Sequence, residues 1–198
     1  VVSHNNMLLS TNLYPDINYD VTALSSYIDS MILRYPDHAL IFRSLNPYTN
    51  QKLMNALQQI GFTLCPTRQV YLFDIKLNDY RRRHNYQIDL RLLNKQTQFS
   101  PCFNHQIHQD DYKQISILYH KLYIEKYSEF NPIFTEDYIA AAHQHGFIEY
   151  FGLRNTAGVL VAIVGCYDRY LVTTVPIVGY DTSLDPKLGL YRMLMAHC

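Results

Sequence analysis

The first 75 residues alternate short apolar runs with stretches in which apolar residues recur every three or four positions. The apolar runs predict strands at Met7–Thr11, His38–Leu45, Phe62–Leu64 and Arg68–Asp74. The periodic stretches predict two helices, one capped by Asp20 or Thr22 and ended before Pro36, the other spanning about Thr49–Ile60 and closed by Gly61. We therefore predict the order β-α-β-α-β for residues 1–75.

Residues 76–109 are more polar, and we interpret them as a linker. The apolar run Ile88–Leu93 within them predicts a possible strand. The basic run Arg81–His84 is interpreted as a solvated charged surface, with contact to an acidic ligand as the alternative.

Residues 110–198 predict a second group of elements. Helical spacing predicts one helix from Asp110 to about Tyr127 and another that starts at Thr135 and ends at Gly146. Apolar runs then predict strands at Phe147–Leu153, Val159–Tyr167 and Leu171–Tyr180. A last helix places Tyr191, Leu194, Met195 and Cys198 on one face, so the predicted order is α-α-β-β-β-α.

The final strand, loop and helix, Leu171–Cys198, have the outline of an anion-binding turn. Such a loop directs free backbone N–H groups and the positive end of a helix dipole to one point, which suits a phosphate. Ser183 or Asp185 is predicted to cap the helix, Pro186 to lie in its first turn, and Gly189 to let a ligand approach the backbone. An ordinary capped helix after a strand is the alternative interpretation.

Composition limits the possible ligands and partners. The 198 residues carry a formal net charge of +0, with a pI near 7.2, so no overall positive field favours nucleic acid or an anionic membrane. No apolar run approaches the roughly 18 residues of a membrane span, and the N-terminus lacks the pattern of a signal peptide. We therefore expect a cytoplasmic protein. Because the sequence starts at Val1 and its last predicted helix stops at Cys198, we also expect it to be part of a longer chain.

Cysteine and histidine spacing gives no sign of a disulfide framework or a metal site. Cys65, Cys102, Cys166 and Cys198 are far apart and form no Cys-x-x-Cys pair, so reduced thiols are expected. The pairs His105/His108 and His143/His145 have no nearby carboxylate or cysteine set that would complete a metal site. We therefore predict no bound metal.

The element order of Asp110–Cys198 resembles that of the GCN5-related N-acetyltransferase (GNAT) superfamily. That fold begins β-α-α-β-β-β, places its acyl-CoA pyrophosphate loop between the fourth strand and the next helix, and finishes β-α-β-β. Ser183–Tyr191 would be the loop. Gly189 matches the first glycine of the family motif Gln/Arg-x-x-Gly-x-Gly/Ala and Leu194 a following apolar position, whereas Pro186 and Tyr191 depart from it.

An earlier part of the chain is similar to the end of the same fold. His38–Leu45, Asn50–Ile60 and Arg68–Asp74 look like its fifth strand, last helix and final strands. The resemblance thus implies a mixed α/β (α+β) protein with a mostly antiparallel sheet flanked by helices. Two tandem GNAT-like units are expected, as in FemAB-like proteins, with residues 1–75 a degenerate half-unit and 110–198 a unit truncated after its loop helix. A single circularly permuted unit is the alternative.

The resemblance implies an acyl-CoA-dependent N-acyltransferase that uses acetyl-CoA or another acyl-CoA and a small-molecule or peptide amine as acceptor. Acyl transfer to an amine needs a base and donors for the tetrahedral oxyanion. Glu149 is the candidate base, because strand alternation predicts its partial burial among aromatic residues, with an exposed strand-edge position as the alternative. Tyr180 and Asp181 are candidates to orient the substrate, although Asp181 also suits a turn.

Further residues are implied to contact the two substrates. The cofactor-binding set is Val178, Gly179, Lys187, Leu188, Gly189, Leu190, Tyr191 and Arg192. Tyr119, Tyr123, Lys126 and Tyr127 would help to wall the acceptor cleft, or belong to the core. The alternative function is a catalytically silent GNAT-like module that binds a small ligand or a protein. Use of aminoacyl-tRNA is disfavoured by the neutral charge, and a homodimer is left open.

Overall fold

The computed structural model describes residues 1–4, 12–67, 69–74, 76 and 79–198. The chain divides into two compact units. Unit 1 comprises Val1–Leu72 with Arg169–Val172, and unit 2 comprises Phe73–Asp168 with Thr173–Cys198. The predicted strand Met7–Thr11 lies outside the described residues.

Unit 1 contains a two-stranded parallel sheet and two helices. Strand β1, Val2–His4, pairs with β2, Leu40–Phe42. Helix α1 spans Val21–Arg34 and α2 spans Gln51–Gln59, close to the bounds predicted for both. The carboxylate of Asp20 accepts the backbone N–H groups of Thr22 and Ala23, so the predicted cap of α1 is confirmed. Tyr14, Leu53 and Leu57 form the buried centre of the unit.

Several strands predicted for residues 38–74 differ from the structure. The run His38–Leu45 forms only the three-residue β2, because Ser44 takes a left-handed φ of 64° that ends the extended backbone. Phe62–Leu64 and the described part of 68–74 form no strand. Their apolar side chains are largely exposed, as at Tyr71 and Phe73, so the run was mistaken for a buried strand.

Unit 2 is built on a four-stranded sheet with the order β3-β4-β5-β6. The strands are β3, Ser100–Phe103; β4, Glu149–Arg154; β5, Leu160–Arg169; and β6, Val172–Tyr180. β3 pairs antiparallel with β4, and β4 antiparallel with β5. Tyr170 and Leu171, both with positive φ, make the two-residue turn from β5 to β6. The predicted mixed class with a mostly antiparallel sheet is confirmed at this level.

Four α-helices accompany that sheet in the described part of unit 2. They are α3, His84–Lys95; α4, Gln109–His120; α5, Glu136–Gln144; and α6, Leu190–His197. α4 continues as a π-helical segment, Lys121–Glu125, so the two together match the long helix predicted there. The hydroxyl of Thr135 accepts the N–H of Tyr138, which confirms the predicted start of α5.

The strand predicted at Ile88–Leu93 is wrong, because this run lies within α3. The half-buried positions recur at Tyr86, Leu90 and Leu93, the spacing of one helical face. Leu92 and Leu93 pack against the core of unit 2, and α3 contacts α6. The predicted linker 76–109 thus contains α3 and β3 of unit 2.

The end of β6 is held close to α4. A Cβ added to Gly179 would lie 2.6 Å from the carbonyl carbon of Leu118 and 2.6 Å from the backbone nitrogen of Tyr119. Only a residue without a side chain therefore fits between the strand and the helix backbone. On α6, the buried side chains of Met193 and Leu194 belong to the same core cluster as Leu153 of β4.

Candidate functional site

The β6–α6 junction, residues 180–192, has the strand–loop–helix form that the sequence predicts. β6 ends at Tyr180, a short 3₁₀ turn spans Pro186–Leu188, and α6 begins at Leu190. The Asp185 carboxylate accepts the Lys187 N–H at 2.9 Å, so Asp185 caps the 3₁₀ turn. The prediction that Ser183 or Asp185 caps the helix, with Pro186 in its first turn, is wrong, because this turn separates them from α6 and the cap residue of α6 is Gly189. The loop is therefore a structured connection between the sheet and α6.

Gly189 precedes α6, and its surroundings differ from those expected of a ligand-facing glycine. It is buried, with a φ of 69°. A Cβ at this position would lie 2.7 Å from Cδ2 of Leu92 on α3. Glycine is thus needed here for two reasons: the backbone is left-handed, and α3 packs too closely to leave room for a side chain. The side chain of Leu92 occupies the space in which the sequence predicted a ligand to approach.

The first turn of α6 still offers donors to an anion. The backbone N–H groups of Leu190, Tyr191 and Arg192 begin the helix, where an N–H has no acceptor within the helix. They lie at the positive end of the helix dipole. The exposed side chain of Lys187 is on the turn that leads into the helix. These groups supply the positive potential that a phosphate needs.

Arg192 is engaged by α3 rather than left for a phosphate. Its Nε and Nη2 atoms lie 2.6 Å and 2.5 Å from Oδ1 of Asp89. The Asp89 carboxylate compensates the guanidinium charge and connects α3 to α6. Arg192, which was predicted to bind a phosphate, therefore forms an ion pair between α6 and α3.

Asp181 directly follows β6 and forms an ion pair with Lys121. Lys121 Nζ donates to Oδ1 at 2.8 Å, and the same oxygen accepts the N–H and hydroxyl of Ser183. Partial burial alone would raise the pKa of this carboxyl, but the hydrogen bonds from Lys121 and Ser183 outweigh it and lower the pKa. Asp181 is therefore an oriented carboxylate at neutral pH.

A cluster of four tyrosines, Tyr123, Tyr127, Tyr180 and Tyr191, lies beside Asp181 and is called here the tyrosine cluster. Lys126 Nζ is 5.5 Å from the ring centre of Tyr127 and 5.8 Å from that of Tyr180. It also lies 3.4 Å from the Tyr180 hydroxyl. The rings of Tyr180 and Tyr191 are 6.5 Å apart, and both Tyr127 and Tyr191 are more than half exposed. The cluster is thus an open, aromatic and basic surface.

Three phenols at this surface, those of Tyr119, Tyr123 and Tyr191, are neutral hydrogen-bond donors. Burial, reinforced by neighbouring phenols, raises the pKa of Tyr123 and of Tyr191. Burial and the adjacent Tyr123 raise the pKa of Tyr119 to about 12, and the two rings stack at 4.7 Å. These side chains therefore suit the donation of a hydrogen bond and do not suit the role of a base near neutral pH.

Glu149 lies far from Asp181 along the sheet. It begins β4 opposite Cys166, whereas the N–H of Asp181 donates to the carbonyl of Val161. Five residues of β5 separate these two levels, or about 16 Å at the rise of an extended strand. The side chain of Glu149 is exposed, so its predicted partial burial is wrong. β4 is buried on both faces from Tyr150 to Leu153, and its first residue lies outside the core.

The remaining predicted cofactor residues lie in or near the core. Val178 and Leu190 are buried members of the core cluster, and Leu188 is half buried. Gly179 faces the backbone of α4. These residues shape the junction by packing, so they contribute backbone groups rather than side chains to any ligand site.

In the described residues, no group of three or more His, Cys, Asp or Glu side chains is arranged to hold a metal ion. The ring of His143 bonds instead to the Tyr112 hydroxyl and to the carbonyl of Asn104. No helix in the described part of the chain has the length and apolar character needed to cross a membrane.

No protein-family model, curated protein or solved structure matches this chain. The candidate site is therefore defined by geometry. The structure brings Tyr180 and Asp181 together with Lys121, and it separates Glu149 from them. Lys121 was not predicted as a site residue, because its partner lies 60 positions away and no local pattern marks the pair.

Proposed function

We propose that unit 2 is an acyl-CoA-dependent N-acyltransferase of GNAT-like architecture, with its ligand at the β6–α6 junction. One observation carries this proposal. From β3 onward, the strands and α-helices of unit 2 follow one another in the order β3, α4, α5, β4, β5, β6 and α6, and the four strands are adjacent in the sheet in that order. This is the order that the resemblance implies. It puts the structured turn and the start of α6 directly after the fourth strand of the sheet. The separate sheets of the two units also favour two half-units over one permuted sheet.

In this proposal the ligand phosphates bind to the first turn of α6. The N–H groups of Leu190, Tyr191 and Arg192 point along the helix axis, and Lys187 adds a mobile positive charge. Gly189 and the guanidinium of Arg192 take no part, because Leu92 and Asp89 engage them. The phosphate contacts thus come from the backbone and from one lysine.

The reacting thioester is proposed to lie beside Tyr180 and the tyrosine cluster. Acyl transfer develops negative charge on the carbonyl oxygen and then on the departing thiolate. The neutral phenols of Tyr123 and Tyr191 suit hydrogen bonding to that oxygen and that sulfur, since raised pKa values keep them protonated. The departing thiolate then takes its proton from solvent. The thioester supplies the activated acyl carbon, and the protein supplies donors and orientation.

Asp181 is proposed to bind the acceptor amine. It is a carboxylate at neutral pH, fixed by Lys121 and Ser183. An ammonium group is attracted to that charge, although Lys121 already compensates part of it. The bound ammonium loses its proton to solvent, and the neutral amine then attacks the thioester carbon. Glu149, about 16 Å away along β5, is not included in the catalytic group. Because CoA thioesters are metabolites of the cytoplasm, the proposal also implies that location.

Two contacts favour a second candidate, the catalytically silent binding module. Leu92 covers Gly189, and Asp89 compensates Arg192, so α3 occupies part of the loop that would hold a pyrophosphate. A site altered in this way suits a smaller ligand, or a partner that contacts the exposed tyrosines. The two candidates differ in whether CoA binds and whether an acyl group is transferred.

Calorimetric titration with acetyl-CoA and CoA, followed by an assay of thiol release with a panel of amines, tests the proposal. We expect both ligands to bind, and K187E to weaken binding by about tenfold through charge repulsion. K113E is the matched control, because Lys113 is an exposed lysine on α4. Binding without transfer would support the silent module. No binding of either ligand by the full chain would contradict the acyl-CoA proposal.

A further inference from the structure

Two cysteines that are distant in sequence lie side by side in unit 2. Cys166 is on β5, and Cys198 directly follows α6. Their sulfur atoms are 3.9 Å apart although 32 positions separate the residues. Cys198 is exposed, and Cys166 is partly exposed. The sequence predicted unpaired thiols from the wide spacing, which gave no sign of this proximity.

We propose that Cys166 and Cys198 are a dithiol that forms a reversible disulfide on reaction with a low-molecular-weight disulfide such as oxidised glutathione. A disulfide bond is about 2.05 Å long, so the sulfur atoms must approach by about 1.9 Å. Cys198 follows the last turn of α6, where its N–H makes a long 3.4 Å bond to Leu194. Rotation about the Cα–Cβ bonds of the two cysteines is the movement that would bring the sulfur atoms together. The inference does not depend on the proposed function.

The surroundings assign different roles to the two sulfurs. Cys198 is the more exposed of the two residues, and a hydrogen bond that Cys166 donates to its thiolate lowers the pKa of Cys198. The same contact raises the pKa of Cys166, as do burial and the charges of Asp168 and Glu149. Cys198 is therefore the attacking thiol, and Cys166 is the thiol that resolves the mixed disulfide. Glu149, exposed at the start of β4, thus acts on the dithiol electrostatically.

The exchange balances without any further reactant. The Cys198 thiolate attacks one sulfur of oxidised glutathione, breaks its S–S bond and releases one glutathione thiolate. Cys166 then loses its proton to solvent and attacks the Cys198 sulfur, which releases the second glutathione. The two protein thiols lose two electrons to the glutathione disulfide, which is reduced to two thiols. Excess reduced glutathione reverses both steps, as expected for a transient cytoplasmic disulfide.

The bond would enclose the part of the candidate site that β6 and the β6–α6 junction supply. The loop from Cys166 to Cys198 contains β6 and the β6–α6 junction. Closing it restricts the unfolded chain and attaches the far end of α6 to β5. Oxidation is therefore expected to stabilise unit 2, with the melting temperature raised by roughly several degrees.

The full chain is incubated in mixtures of oxidised and reduced glutathione, quenched with acid and alkylated, and its disulfides are mapped by mass spectrometry. We expect a Cys166–Cys198 peptide pair, a higher Tm and full reversal by excess thiol. C166S and C198S should each abolish the linked pair, whereas C65S should retain it, because Cys65 is exposed and belongs to unit 1.

Iodoacetamide labelling of the unoxidised wild-type chain is a second measurement that needs no variant. We expect Cys198 to be alkylated faster than the exposed Cys65, because its thiolate is favoured. Stable glutathione on Cys198 with no bond to Cys166, or disulfides only between chains, would overturn the proposal. Alkylation of Cys198 no faster than that of Cys65 would also overturn the assigned roles.

Discussion

Leu92 of α3 packs directly onto Gly189, so a Cβ on the glycine would lie 2.7 Å from Cδ2 of the leucine. In the sequence, this glycine is the residue that best matches an acyl-CoA loop. In the structure, its left-handed backbone and its contact with α3 are sufficient to require glycine. Substitution at Gly189 therefore alters packing as well as any ligand site, and a test of function at this position needs a stability control.

G189A is expected to destabilise the protein through both strain and overlap. A left-handed backbone with a side chain costs about 1–2 kcal/mol, and overlap with Leu92 adds about 1–3 kcal/mol. In an L92A background the second contribution should disappear, which gives a coupling of about 1–3 kcal/mol. Chemical denaturation of the four chains of this cycle measures it. Equal losses in both backgrounds would show that Leu92 does not restrict this position.

G179A tests the close approach of β6 and α4. The added Cβ would meet backbone atoms of Leu118 and Tyr119, which cannot move away without shifting the helix. We expect a loss of about 3 kcal/mol or more. The comparison variant is G165A, whose Cβ would meet side chains of Ile148 and Tyr150 that have some freedom to rotate. Urea denaturation should show the larger loss for G179A, and the reverse order would contradict this packing.

Asp111 and Arg154 connect α4 to β4 through a two-bond ion pair, in which Nη1 and Nη2 of Arg154 lie 2.8 and 2.7 Å from the two carboxylate oxygens. Burial would raise the pKa of Asp111, but the bonds from Arg154 and from the His108 N–H outweigh it and lower the pKa. Replacing Arg154 with methionine leaves a mostly buried carboxylate without its cation and should cost about 2–4 kcal/mol.

The lowered pKa of Asp111 fixes the sign of the pH dependence. A carboxyl with a lower pKa in the folded state stabilises the protein above its unfolded pKa of about 3.9. That stabilisation is lost as the pH falls through the folded pKa. The difference in unfolding free energy between wild type and D111N should be largest near pH 6–7 and shrink below about pH 4. A difference that stays constant down to pH 2–3 would contradict an ionised Asp111.

Local elements could be predicted from the sequence, whereas the contacts that define the site could not. Asp20 and Thr135 cap their helices through bonds to residues two or three positions away, which a sequence pattern records. The Arg192–Asp89 pair spans 103 positions. The apolar run around Leu92 was mistaken for a strand because a short run fits both periods. The space beside Gly189 was therefore interpreted as open to a ligand.

The final prediction rests on the proposed function and compares two carboxylates. Glu149 is exposed at the far end of β4, and Asp181 is fixed beside the tyrosine cluster. With the acceptor amine identified by the thiol-release assay, E149Q should keep kcat/KM within about twofold. D181N should lower kcat/KM by about tenfold or more, since it removes the charge that attracts the ammonium.

A loss of fold is the main alternative cause of a weak D181N enzyme, because the change also removes the ion pair with Lys121. Lys121→Met removes the same pair and leaves the carboxylate, so it is the matched control. It should lower Tm to a similar extent and preserve most of the turnover, since an unpaired Asp181 attracts an ammonium more strongly. If E149Q lowered turnover as far as D181N, with Tm unchanged in both, the position of the reacting groups beside Asp181 would be wrong.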